Sequence, residues 1–201
     1  MKIKCCGIKY PSNYALINLL DLDYIGFILT PLSTRKVEIS GKMFRNKKVN
    51  RVGVFVEPSY QFLYHKILEY ELDAIQLHGN INNTILSLLP REVKVIRAIS
   101  IHQSFDFTSL KDRKEIDMYL MDTAGSQIGG NGERFDWNLL KNYNGTKPFM
   151  IAGGIGLAEI KLLKEMNLPN FIGVDVNSKF EFTPGVKNIQ ALKIFIDEIR
   201  K

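Results

Sequence analysis

Cysteine is nearly absent: the 201 residues contain two, Cys5 and Cys6, side by side. That count excludes a disulfide scaffold, and a bond between sequence neighbours would be strained. Reduced thiols in a cytoplasmic setting are the expectation. Histidine is scarce too. His65, His78 and His102 are scattered, with no carboxylates or thiols at ligand spacing, which speaks against a metal site. No apolar run approaches the ~20 residues needed to cross a bilayer. Met1-Lys2-Ile3-Lys4 leads straight into Cys5-Cys6-Gly7, without the pattern of a secretory leader. No Pro/Gly/Ser-rich linker and no low-complexity segment interrupts the chain, so a single domain over residues 1–201 is expected.

What is present describes a folded protein. The hydrophobic fraction is 45% and the charged fraction 24%, close to ordinary globular values, which argues against disorder of the whole chain. The net charge is +6, but the Lys and Arg residues are spread among acidic ones. The densest run, Arg45-Asn46-Lys47-Lys48, is short and gives way to a strand-like segment, so it reads as solvated surface rather than a nucleic-acid face. Neither nucleic acid nor membrane is an expected partner. A modest positive field does suit capture of a small anionic metabolite.

Short β-type runs alternate with helix-type segments, each unit taking roughly 20–30 residues, as repeated βα units do. The expected strands cover residues 3–8, 24–29, 51–56, 74–77, 93–98, 118–121, 149–152 and 171–176. Several are continuously apolar, as parallel strands covered on both faces should be. Between them, Leu63, Ile67 and Tyr70 fall at helical spacing, as do Ala15, Leu19 and Leu22, and Ile189, Leu192, Ile196 and Ile199. Ser12 stands where an N-cap belongs. Eight strands and about eight helices predict an α/β fold, a single (β/α)8 TIM barrel. An open doubly wound sheet is the alternative.

A (β/α)8 barrel carries its active site at the C-terminal ends of its strands. The first ends in Lys4-Cys5-Cys6-Gly7-Ile8, and the second runs into Pro31-Leu32-Ser33-Thr34-Arg35. The fourth ends in Gln76-Leu77-His78-Gly79. The sixth ends in Asp122-Thr123, followed by Gly129-Gly130-Asn131-Gly132 and Phe135-Asp136-Trp137. The seventh ends in Ala152-Gly153-Gly154-Ile155, and the eighth carries Val174-Asp175-Val176-Asn177-Ser178, then Glu181 and Pro184-Gly185. Each block is weak by itself. In this order, along nearly the whole chain, they resemble the phosphoribosylanthranilate isomerases of tryptophan biosynthesis.

The resemblance implies an Amadori rearrangement of N-(5-phosphoribosyl)anthranilate to 1-(2-carboxyphenylamino)-1-deoxyribulose 5-phosphate, with no cofactor and no metal. Such a reaction needs an acid at the furanose ring oxygen and a base at the sugar C2. Cys6 matches the family's base; without the other motifs it would read as a buried structural cysteine. Cys5 should point the other way, into packing. Asp122 matches the acid, which must hold its proton and so needs burial; taken alone it would read as an ion-pair partner. Arg35 matches the residue that grips the anthranilate carboxylate, against the plain alternative of a solvated loop arginine. Lys36 stands where an aromatic residue is common.

Gly153 and Gly154 match one half of a phosphate site, and Asn177 and Ser178 the other. There the family pattern breaks, with Lys179-Phe180 in place of a Gly-Val or Gly-Ile pair; Lys179 either reaches phosphate or, as favoured here, points to solvent. Asp175 faces either a ribose hydroxyl or loop N–H groups. His78 reads as a hydrogen-bonded structural histidine, and His65 and His102 as surface residues of helices. Trp137 reads as packing. The glycines of the loop from Thr123 to Gly132 suit a segment that closes over substrate, or simply a flexible connection.

Two rival readings remain open. One is the related aminoaldose-phosphate isomerase of histidine biosynthesis, which uses two aspartates where this chain has Cys6 and Asp122. The other is a barrel that binds a phosphorylated metabolite without catalysis. Indole-glycerol-phosphate synthase is disfavoured because its catalytic lysines are not evident at the strand ends. A monomer and a homodimer are equally compatible with the sequence.

Overall fold

Apolar runs that are hydrophobic on both faces need cover on both faces, and a closed barrel wrapped by helices supplies it. The computed structural model describes residues 1–110, 113–123 and 135–201, leaving aside the side chain of Asn83. Its strands are β1 (Lys2–Cys5), β2 (Tyr24–Ile28), β3 (Asn50–Val56), β4 (Ala74–His78), β5 (Lys94–Ile101), β6 (Met118–Thr123), β7 (Phe149–Ile151) and β8 (Phe171–Val176). They pair in parallel in chain order, and β8 closes on β1 through the register Lys4↔Asp175 and Cys5↔Val176. The expected barrel is therefore present and the open sheet is not.

Alternation sorts the strand residues into two cores. Ile3, Cys5, Ile25, Phe27, Phe55, Ile75, Tyr119 and Val174 face outward and pack under the helices. Tyr24, Val52, Ala74, Ile96, Ala98, Met118, Leu120, Met150 and Ala152 form a separate cluster that fills the barrel interior. Each fully buried large aliphatic contributes about 1.5–3 kcal/mol.

The helices depart further from expectation. Five α-helices occur among the described residues, α1 (Pro11–Ile17), α2 (Tyr60–Tyr70), α3 (Asn83–Ser87), α4 (Ile160–Glu165) and α5 (Ile189–Arg200), rather than about eight. The connections after β2, β5 and β6 carry 3-10 turns at Gly41–Met43, Phe107–Ser109 and Trp137–Asn142. Ser40, Asp106 and Asp136 cap these turns, each accepting a bond from the backbone N–H two residues on.

In α2 the expected face is buried through Leu63, Ile67 and Tyr70, and in α5 through Leu192, Ile196 and Ile199. The reading of α1 needs correction. Its cap is Tyr10, and Pro11 opens the helix with its φ already set, so Ser12 lies inside it. It ends at Ile17 and buries Tyr14 and Ile17, leaving Leu19 65% exposed. His65 does lie exposed on α2, but His102 lies in the loop after β5 rather than on a helix.

After β8 the chain forms a hairpin absent from the sequence reading, β9 (Glu181–Thr183) and β10 (Val186–Lys187), before α5. Residues 45–48 are exposed, as a solvated surface run should be. No helix among the described residues is long and apolar enough to cross a membrane.

Candidate active site

The strand alternation that fills the barrel with apolar side chains also points polar ones inward near its C-terminal end. Lys4 and Cys6 alternate with the outward-facing Cys5. Gln76 and His78 continue the inward row begun by Ala74, and Asp122 the row of Met118 and Leu120. Cys6 lies one residue past β1 but is still tied to the barrel, its N–H bonding the Val176 carbonyl at 2.9 Å. Gly7, at φ 77°, then turns the chain away, a conformation open to glycine at no steric cost. Cys6 is 4% exposed and packs with Ile28 and Val54. Cys5, as expected, belongs to the outer core, where burial pushes its thiol up to about 12.

Lys4 is the residue that sequence reasoning missed. It is fully buried, and its Nζ lies 2.6 Å from Asp175 Oδ2, the side chain of its register partner on β8. Burial alone would lower the lysine's pKa, but the charges of Asp175 and Cys6 outweigh it and the ammonium is held protonated. Burial pushes the Asp175 carboxyl up, and Lys4 opposes it. Asp175 therefore accepts from a lysine, not from loop N–H groups as one reading had it. Its Oδ1 is buried and has no hydrogen-bond partner among the described residues. An unpaired buried acceptor is costly, and a ligand hydroxyl would satisfy it. A strand lysine ordinarily signals solvent; the clue was its i, i+2 relation to Cys6.

Burial raises the Cys6 thiol above its ordinary value, while the charge and hydrogen bond of Lys4 hold it back. Asp122 is raised to about 6, first by burial and then by the charge of Asp175, with the Thr123 N–H bond at 2.8 Å and Lys4 opposing. A carboxyl in that condition keeps a substantial protonated fraction near neutrality. Gly153, at φ 91°, packs against this group: a Cβ there would stand 3.2 Å from Asp122 Oδ1. Gly154 also takes a positive φ, 64°, so the chain after β7 turns beside the acid with no side chain in the way.

Arg35 is not a solvated loop arginine. Its Nε donates to both Glu181 carboxylate oxygens at 3.1 and 2.9 Å, and its Nη2 lies 2.8 Å from Oε2. Glu181 also binds Lys187 Nζ at 2.8 Å, and Lys187 reaches Asn177 Oδ1 at 2.6 Å. The charges and bonds of Arg35 and Lys187 overcome the effect of burial and hold the Glu181 carboxyl below its usual range. Arg35 and Asn177 meet over Gly7, where a Cβ would stand 2.9 Å from Arg35 Cδ and 2.7 Å from Asn177 Oδ1. Ser178 opens a short 3-10 turn, Ser178–Phe180, in which Lys179 is exposed and Phe180 is buried against Phe195. Lys179 thus takes the solvent-facing course.

His78 lies 2.8 Å from Gln76 through their Nε2 atoms, and burial with the nearby Lys4 and Arg97 charges lowers its pKa to about 4, so the ring is neutral. Trp137 is buried packing. The glycine-rich segment proposed to close over substrate lies outside the described residues, apart from Thr123. Among the described residues no group of three or more His, Cys, Asp or Glu side chains could hold a metal ion.

The chain matches the family described as "N-(5'phosphoribosyl)anthranilate (PRA) isomerase" over residues 3–198. It is 36% identical to the N-(5'-phosphoribosyl)anthranilate isomerase of Parabacteroides distasonis, over 99% of this chain and 93% of that one. Among solved structures, the phosphoribosyl anthranilate isomerase of Thermotoga maritima superposes with a TM-score of 0.83 at 26% identity, covering 100% of this chain and 98% of that one. Another, solved in complex with reduced 1-(o-carboxyphenylamino)-1-deoxyribulose 5-phosphate, superposes at 0.78 with 24% identity, covering 100% and 98%. With an eight-stranded barrel whose mouth brings Cys6, Asp122, Arg35 and the Gly153–Gly154 turn together, the chain belongs to the phosphoribosylanthranilate isomerase family.

Proposed function

We propose that residues 1–201 act as one isomerase domain that carries out the Amadori rearrangement of N-(5'-phosphoribosyl)anthranilate in tryptophan biosynthesis. The observation that carries this reading is the pair of inward-facing groups at the barrel mouth, a cysteine on β1 and, across the barrel on β6, an aspartate raised to about 6. Asp122 donates its proton to the furanose ring oxygen, and the C1–O bond opens to an iminium ion. The Cys6 thiolate removes the proton from C2, giving an enolamine that tautomerises to the ketone. Arg35 receives the anthranilate carboxylate. Gly153, Gly154, Asn177 and Ser178 receive the phosphate, chiefly through backbone N–H groups. Asp175 Oδ1 accepts from a ribose hydroxyl. Every residue in this reading comes from one chain, which suits a monomer and a homodimer alike, and the two free thiols suit a cytoplasmic enzyme.

Turnover is tested by generating phosphoribosylanthranilate in situ and following the loss of its fluorescence. Catalysed disappearance is expected. A folded protein with no turnover would overturn the reading, and activity on the aminoimidazole substrate alone would favour the histidine-pathway isomerase.

Arg35→Lys gives a second test. Lysine keeps the charge but loses the planar fork needed to hold Glu181 and a substrate carboxylate together. KM is expected to rise about tenfold or more while kcat changes less, the pattern for loss of uniform binding. An unchanged KM in steady-state kinetics would remove Arg35 from the binding site.

A further inference from the structure

We propose that Lys4 is a positioning residue for this reaction: its ammonium, fixed against Asp175 inside the barrel, is the counter-ion of the Cys6 thiolate that removes the C2 proton. The inference rests on the assignment of Cys6 as base.

The geometry comes first. Lys4 Nζ and Cys6 Sγ flank one spot on β2, where Gly26 leaves space. A Cβ at Gly26 would stand 3.2 Å from Nζ and 2.8 Å from Sγ. Any larger residue would push one or both aside. Asp175, opposite Lys4 in the β1–β8 register, anchors the other side of the ammonium at 2.6 Å. The Lys4 side chain is 1% exposed, so its contacts are with protein rather than solvent.

Stability gives no strong reason to keep such a pair. Apolar replacement of a buried ion pair is often neutral or stabilising, because desolvating two charges offsets their attraction. A neutral thiol needs no counter-ion either. A buried thiolate does, since an isolated charge in such a place is prohibitively costly.

The charged surroundings of Cys6 are few among the described residues. Lys4 stands on its own strand, Asp175 on β8, and Lys187 comes from β10. Lys4 also acts on Asp122 of β6 and on the neutral His78 of β4. From β2 and β3 the neighbours are Gly26, Ile28 and Val54, which carry no charge. Of these groups Lys4 exerts the largest pull toward the thiolate, by its charge and by a hydrogen bond to the sulfur. In the reaction the C2 proton passes to sulfur, and the ammonium keeps its own three. Lys4 thus acts through the sulfur, setting the protonation equilibrium of the base.

The test reads the thiolate directly. The rate of Cys6 alkylation by iodoacetamide is followed against pH by mass spectrometry, with Cys6→Ser as the blank for Cys5. In Lys4→Met the midpoint is expected to move up by about one pH unit or more, with a parallel fall in kcat/KM. Lys4→Arg, which keeps the charge, should recover much of the shift. Because Lys4→Met strands the Asp175 carboxylate, the double variant Lys4→Met/Asp175→Asn, which removes both charges, is measured beside it. A smaller upward shift is expected there, since Lys4 acts on Cys6 more strongly than Asp175 does, in the opposite direction. A folded double variant that alkylates with the wild-type midpoint overturns the proposal, while inactivity of Cys6→Ser leaves the base assignment standing. Full turnover by Cys6→Ser would overturn both.

Discussion

Replacing Cys6 with serine is expected to lower kcat/KM by about 10³-fold while the barrel stays folded. Removing a general base typically costs 10²–10⁴ in rate. A hydroxyl is close to a thiol in size and fits the same corner beside Ile28 and Val54, but it gives up its proton far less readily, so the counter-charge of Lys4 cannot make it a useful base. The loss should fall on kcat, because the group acts in the transition state and not in holding the ground state. Fluorescence-detected turnover and a thermal unfolding scan check both halves. Activity within tenfold of wild type would remove Cys6 from the mechanism.

Asp122→Asn should lose about 10²-fold or more of its activity and gain stability in the same step. The amide still accepts the bond that Thr123 N–H gives to Oδ1 at 2.8 Å, but it has no proton to donate to a leaving oxygen. The stability gain follows from linkage. The folded carboxyl is raised from 3.8 to about 6, so its favourable contribution is present below the unfolded value and is lost as pH rises through about 6. Above that, the half-buried carboxylate destabilises the fold by up to about 3 kcal/mol, the cost of a shift of roughly two units. Denaturant titrations at pH 8 should therefore show the variant more stable than wild type, and the difference should shrink by pH 5. A variant less stable than wild type at pH 8, by an amount indifferent to pH, would contradict the electrostatic account of Asp122.

The barrel was largely legible in the sequence because its strands are short apolar runs with no competing pattern, and the site because its residues lie at the ends of those runs. What escaped notice depended on contacts between distant segments. Arg35 and Glu181 are 146 residues apart, and nothing local to either predicts that one grips the other. Lys4 was hidden for another reason: in a strand, lysine is usually a solvent-facing residue, and only the closed barrel gives its row a buried polar partner. The α-helices missing among the described residues fall where Ser40, Asp106 and Asp136 cap short 3-10 turns, segments in which no helical apolar spacing stood out in the sequence. Pro11 moved the start of α1 away from Ser12 for the same kind of local reason.

The opposed chemistry of the two mouth residues has a consequence for how many molecules are ready to react. Catalysis needs sulfur without its proton and the carboxyl with one. Burial pushes the Cys6 thiol above its ordinary value and the Asp122 carboxyl to about 6, so the free enzyme prefers the reverse arrangement. The two arrangements hold the same number of protons, so their ratio does not depend on pH. It is set by the gap between the two groups, and because burial pushes both upward but the thiol starts far higher, the competent tautomer is the minor one. The limbs of the rate profile then exchange owners, the acidic limb reporting Asp122 although Asp122 is the acid, and the alkaline limb reporting Cys6 although Cys6 is the base.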